Sequence, residues 1–321
     1  MKLSGVSTGE FSSGEVIDPE GRYAVVSLLG RGGMAAVYRV TDRAAPVGQP
    51  TEVALKLLLP EGAARDVGRA RFMQEYELLR ALDDDRIVRV FEHGETVRKE
   101  PFFTMQLVSG PTAQSVVADG APTAGEQRVL PIEQVVDLLL EIARAVAAAH
   151  RAGVLYLDLK PANILLVEVH NVWRPCLIDF GIARDISDKD RAERESPRTF
   201  IGTSLYMSPE QVRGAALDVR SDIYSFGVAG FELCTGRLPF DRETIFDVAA
   251  SHLLGKVPEI RSLNREIPAR LAQILHVCLS KDPGDRYQSM SEVVDRLERI
   301  AANREPIGLG RLINFFTKRR I

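Results

Sequence analysis

Cysteine is scarce in this chain of 321 residues: Cys176, Cys234 and Cys278 stand far apart, with no Cys-x-x-Cys pair. That speaks against a disulfide framework and leaves reduced core residues in a reducing compartment as the expectation. The five histidines, His93, His150, His170, His252 and His276, show no metal-ligand spacing, so core packing or surface solvation is expected for each. Net charge is also small. At −3 it creates no long-range field to draw the molecule onto nucleic acid or an anionic membrane. The opening MKLSGVSTGEFSSGEVIDPEG has no apolar h-region and does not read as a secretory signal. Nor is there a long apolar run, since the stretch from Val135 to His150 is broken by Asp137, Glu141 and Arg144. The expectation is a cytoplasmic chain with no nucleic-acid partner and no transmembrane segment.

What the chain does have is a change of pattern near its first third. Tyr23–Leu29, Ala35–Thr41, Val53–Leu59, Ile87–His93 and Phe102–Gln106 read as strands rich in Val, Leu, Phe and Tyr. One helix interrupts them around Gly68–Leu82, with Phe72, Tyr76 and Leu79 on one face. After Gly110 helices take over, clearest at Ile132–Arg151, Val219–Thr235, Ala269–Leu279 and Met290–Ala302. The Gly- and Pro-containing segments Arg43–Glu52 and Ala118–Val129 look like surface insertions. This order predicts an α+β, bilobal architecture. Residues 1–20 form a flexible start and 21–305 the main domain, with an N-lobe over 21–106, a C-lobe over 110–305 and a basic tail over 306–321. Glycines at 308 and 310 favour a frayed or packed-back tail over a membrane-surface helix.

Four local patterns carry chemistry. Gly30, Gly32 and Gly33 form a glycine-rich turn between two strands, which suits backbone N–H groups approaching phosphate oxygens, although a plain hairpin needs glycine too. Lys56 lies on an apolar strand and needs an anion; Glu75 on the next helix is the natural one. The run Tyr156-Leu157-Asp158-Leu159-Lys160-Pro161-Ala162-Asn163 follows a long helix, and Leu177-Ile178-Asp179-Phe180-Gly181 comes soon after. Asp158, Asn163 and Asp179 are hard oxygen donors of the kind that hold Mg²⁺ on nucleotide phosphates.

Together these residues resemble the eukaryotic-like (Hanks-type) Ser/Thr protein kinases, from about Tyr23 to about Arg304. The resemblance implies a transferase that moves the γ-phosphate of Mg-ATP, with Mn²⁺ as an alternative ion, to Ser/Thr hydroxyls of protein substrates. Lys56, held by Glu75, would grip the α/β-phosphates, and Asn163 and Asp179 would hold the metal. Asp158 would receive or orient the acceptor proton while Lys160 offsets phosphoryl charge. Val37, Ala54 and Leu165 would sandwich adenine, Met105 would guard the inner pocket, and the backbone of Gln106 and Val108 would meet the base edge. Thr203, Glu210, Arg286 and Asp222 would build the substrate platform: Glu210 and Arg286 as a buried ion pair, Asp222 as a hydrogen-bond partner of the catalytic-loop backbone. Autophosphorylation is implied, and a homodimer is compatible with the resemblance.

Three positions depart from the family pattern. Ala35 replaces the third glycine of the nucleotide loop, and Tyr156 stands where histidine is usual, filling the packed column beneath Phe180. Leu157 replaces the arginine that ordinarily pairs with a phosphorylated loop residue. Leucine makes no charge-assisted hydrogen bond, so phosphorylation at Ser196, Thr199, Thr203 or Ser204 is expected not to be the main on-switch. The alternative is an ATP-binding pseudokinase or scaffold; against it, every residue in direct contact with nucleotide, metal or acceptor is in place.

Overall fold

The computed structural model describes residues 10–48, 50–60, 66–118, 130–170, 172–181, 183–185 and 204–302. The chain divides into two compact units, the first running to Val108 and the second beginning at Ser109, with Phe180 and Gly181 grouped with the first.

The first unit is an antiparallel sheet with one helix. Its strands are β1 (Tyr23–Arg31), β2 (Ala35–Asp42), β3 (Glu52–Leu58), β4 (Val90–Glu95) and β5 (Pro101–Met105), in spatial order β1-β2-β3-β5-β4. Helix α1 (Asp66–Arg80) falls between β3 and β4. The two faces of the sheet separate by side-chain alternation. Tyr38, Val40, Leu55 and Leu57 on one face are completely buried. On the other, register pairs Val37 with Lys56 and Ala54 with Met105. Cross-strand partners share a face, so Val37, Ala54, Lys56 and Met105 all project the same way. Helix α1 buries Phe72, Tyr76 and Leu79 as its spacing predicts, with Phe72 and Tyr76 against Phe103.

The flexible start expected over residues 1–20 is corrected for its described part, residues 10–20. Phe11 and Ile17 are buried in the same apolar cluster as Tyr38, Leu55 and Leu57. The backbone locks on as well: Gly14 N–H donates to Val25 O at 2.8 Å, and Val97 N–H to Ile17 O at 2.9 Å. The physical reason is that the outer face of the sheet carries large apolar side chains and needs a cover. The segment 10–18 supplies it.

The second unit is mainly helical: α2 (Ala113–Ala118), α3 (Ile132–Arg151), α4 (Pro209–Arg213), α5 (Val219–Thr235), α6 (Ile245–Leu254), α7 (Ile260–Leu263), α8 (Ala269–Cys278) and α9 (Met290–Ala302). Two small antiparallel pairs accompany them, β6 (Val154–Leu155) with β9 (Arg184–Asp185), and β7 (Ile164–Val169) with β8 (Val172–Leu177). Helix α5 is the hub, packing on α3 and α8 and buried along nearly its whole length. Gly230 makes that approach feasible, because a Cβ there would lie 2.6 Å from Leu275 Cδ2. Gly110 is required more strictly: a Cβ would fall 2.0 Å from the carbonyl oxygen of Leu166. All three cysteines are free and buried. Among the described residues no helix is long and apolar enough to cross a membrane.

Candidate active site

In the first unit the Lys56 Nζ–Glu75 Oε1 distance is 2.6 Å, with Glu75 buried. Lys56 also lies over the Phe103 ring at 5.9 Å. Gly30, Gly32 and Gly33 sit at the β1–β2 turn, where Gly32 N–H donates to Ala35 O at 2.8 Å. No atom lies within 4 Å of where a Cβ would sit on Gly30 or Gly33, so the turn is open on that side. Ala54 and Met105 are buried and Val37 is half-buried. The Gln106 N–H is already committed, donating to Arg89 O at 2.8 Å.

The second unit builds its site around a buried carboxylate. Asp222, in the first turn of α5, is fully buried. It accepts from Leu157 N–H at 2.7 Å and from Tyr156 N–H at 2.9 Å, and lies 2.7 Å from His150 Nε2. Leu157 has φ of 61°, left-handed backbone that costs a non-glycine residue about 1–2 kcal/mol. The hold on both sides of that residue sustains it: Asp222 takes its N–H, and Gln211 Nε2 donates to its carbonyl at 3.1 Å. The turn delivers Asp158.

The carboxylate of Asp158 receives Lys160 Nζ at 2.8 and 3.0 Å and Asn163 Nδ2 at 2.9 Å. Burial pushes the Asp158 carboxyl above its ordinary value, opposed by the Lys160 charge and seconded by Asp179. Asn163 Nδ2 also donates to the Asp158 carbonyl at 3.0 Å, which leaves Oδ1 as the atom Asn163 can offer a cation. Asp179 is half-buried two residues past the end of β8. Two hard oxygen donors from Asn163 and Asp179 fit a divalent ion. Leu165, half-buried on β7, bridges Thr112, and Val108 is half-buried at the end of the first unit.

Farther along, Arg286 meets Glu210 through two parallel bonds, Nη1–Oε1 at 2.7 Å and Nη2–Oε2 at 2.9 Å. Ser221 Oγ adds a third at 2.7 Å. Burial alone would raise the Glu210 pKa, but Arg286 and Ser221 outweigh it and hold the carboxyl below its usual range. Thr203, like Ser196 and Thr199, lies outside the described residues. Residues that the sequence reading missed are His150 and Gln211, which share the work of shaping the Asp158 turn. Their bonds span 72 and 54 residues, and no local pattern announces them.

A five-stranded antiparallel sheet with one helix, joined to a helical unit holding Asp158, Lys160, Asn163 and Asp179, defines the protein kinase fold. Residues 23–296 match the protein kinase domain family, and the chain belongs to it, in its Hanks-type bacterial Ser/Thr branch. It is 33% identical over 273 residues to a probable serine/threonine-protein kinase PknB of Lactococcus lactis, covering 85% of this chain and 41% of that protein. The PknB of Corynebacterium glutamicum is 35% identical over 290 residues, 88% of this chain and 42% of the relative. The chain thus spans about two-fifths of the length of these relatives. The crystal structure of the Mycobacterium tuberculosis PknI kinase domain aligns with a TM-score of 0.68 at 30% identity, covering 91% of this chain and 100% of that one.

Proposed function

We propose that this chain transfers the γ-phosphate of ATP to Ser/Thr hydroxyls of proteins, its own included. One observation carries the reading: the Asp158 carboxylate is held between Lys160 and Asn163 while its burial raises its proton affinity. That suits a group which must orient an acceptor hydroxyl and take its proton. Lys160, bonded to the same carboxylate, stabilises charge on the transferring phosphoryl group. Lys56, fixed by Glu75, contacts the α/β-phosphates. Val37, Ala54 and Met105, on one sheet face, and Leu165 supply apolar contact for adenine. The Gln106 carbonyl, whose own N–H is used elsewhere, and Val108 meet its edge. Asn163 and Asp179 hold the divalent ion, Mg²⁺ with Mn²⁺ as alternative, which neutralises phosphate charge when bound. The Glu210–Arg286 pair and Asp222 support the segment that receives the acceptor polypeptide, with Thr203. Three buried free thiols suit a reducing, cytosolic setting.

The test is incubation with γ-labelled ATP and Mg²⁺, with myelin basic protein as acceptor. Label on Ser/Thr of the acceptor or of the chain itself, lost in Asp158→Asn, is the expected result. Nucleotide binding without transfer would favour the pseudokinase reading instead.

A further inference from the structure

Helix α6 buries a histidine whose bonds lead to the segment 204–210. His252 is fully buried. Its Nδ1 lies 3.0 Å from the Tyr224 hydroxyl and its Nε2 lies 3.1 Å from the carbonyl oxygen of Leu205. On the far side of Tyr224, Lys281 Nζ donates to the same hydroxyl at 3.3 Å and to Ser251 O at 3.1 Å.

The direction of this chain follows from donor capacity. The Leu205 carbonyl can only accept, so Nε2 carries the ring proton and Nδ1 accepts; Tyr224, itself accepting from Lys281, passes its hydroxyl proton to Nδ1. The imidazole proton then resides on Nε2, aimed at Leu205 O. The Leu205 carbonyl thereby fixes the tautomer, and Tyr224 with Lys281 behind it completes the bonds on the Nδ1 side.

What the chain holds is distinctive. From 204 to 210 every residue is buried except Leu205, which is half-exposed. Within that stretch, the Leu205 carbonyl is held by His252 and the Glu210 carboxylate by Arg286. The Tyr224 ring lies against both supports, with Arg286 over it at 4.9 Å and the His252 ring 5.7 Å away, and Lys281 also lies over it at 5.6 Å. Phe240 closes the other side, 5.2 Å from His252 and 4.1 Å from Lys281. Apolar side chains would fill this volume without the cost of burying three polar groups. A donor chain instead ends on the backbone of this segment, at Leu205 O.

We propose that His252 is a positioning residue for protein phosphorylation: by gripping the Leu205 carbonyl it sets the one half-exposed residue of segment 204–210 for the acceptor polypeptide. The inference rests on the reading of that segment as the acceptor's seat. It leaves ATP binding untouched.

Steady-state kinetics with myelin basic protein and ATP varied separately test it, on wild type, His252→Phe, His252→Gln and Tyr224→Phe. Loss of one hydrogen bond of this kind translates to about fivefold or more in KM for the protein acceptor in His252→Phe, with KM for ATP unchanged. Gln, whose amide N–H replaces the Nε2 proton, restores most of the loss. Tyr224→Phe, which removes the donor that orients the ring through Nδ1, raises the acceptor KM in the same selective way and carries the test if His252→Phe does not fold. A smaller or equal effect on both substrates, or Gln no better than Phe, overturns the proposal. Wild type inert toward every acceptor sinks the kinase reading as well, whereas active wild type with indifferent variants sinks this inference alone.

Discussion

Lys56 and Glu75 face one another across 2.6 Å, one from the third strand and the other from the helix after it, both largely shielded from water. Removing only the cation takes the opposite charge away from a buried carboxylate, at a cost of about 3–5 kcal/mol. Lys56→Met is therefore expected to lower the melting temperature and to cut kcat/KM by a factor on the order of 10²–10³. Adding Glu75→Gln should recover stability while activity stays lost. Thermal melts beside kinase assays separate the two effects; recovery of activity in the double variant would contradict the phosphate-gripping role.

The Asp158 carboxyl is raised by burial, with Asp179 adding to the shift. As a proton acceptor it works only when ionised, so kcat/KM falls as pH drops through its folded value. The acid limb should lie above the ordinary aspartate value of about 3.9. A pH–rate profile flat down to that point would remove Asp158 from the proton-accepting role.

The Glu210 carboxyl is held low, despite burial, by Arg286 and Ser221. A depressed carboxylate contributes stability above its unfolded pKa and loses it as pH falls through the folded value. Glu210→Gln should therefore cost about 3–5 kcal/mol at neutral pH, and the gap to wild type should narrow below about pH 4. Urea titrations at several pH values read this directly.

His252 moves the other way: burial, then the nearby Lys281 charge, lower its pKa from 6.5 to about 4. Unfolding lets the ring take a proton anywhere between those values, so the unfolded state binds more protons and stability rises with pH across that window. The full span amounts to about 3 kcal/mol, lost by pH 4 and level above 6.5. His252→Phe should flatten that part of the profile.

Leu157 cannot reach a phosphate, its side chain being buried and apolar at 3% exposure. Thr199→Ala is expected to retain activity within about tenfold of wild type, since no charge-assisted bond is forfeited at Leu157. A fall of a hundredfold or more in the same assay would show that phosphorylation of the loop is the switch after all.

Much of this was legible in the residues themselves. Helices α3, α5 and α9 begin and end where their apolar periodicity does, and the Lys56–Glu75 pair follows from a charge on an apolar strand needing a partner. The Glu210–Arg286 pair is what the family resemblance implies. The fourth strand was less so: Ile87 looks strand-like, but its N–H turns back to Asp84 O and the strand starts at Val90. The cover formed by Phe11 and Ile17 escaped notice because two apolar residues six positions apart make no periodic pattern. His150, Gln211 and His252 act through bonds to distant backbone or side-chain atoms, which only the folded chain brings together.

The most direct measurement is the intact mass of the purified chain after incubation with Mg-ATP, wild type beside Asp158→Asn. Wild type should gain whole phosphoryl groups that map to serine or threonine, and the variant none. Equal gain in both, or none in either alongside full activity of a known kinase run in parallel, would contradict the account.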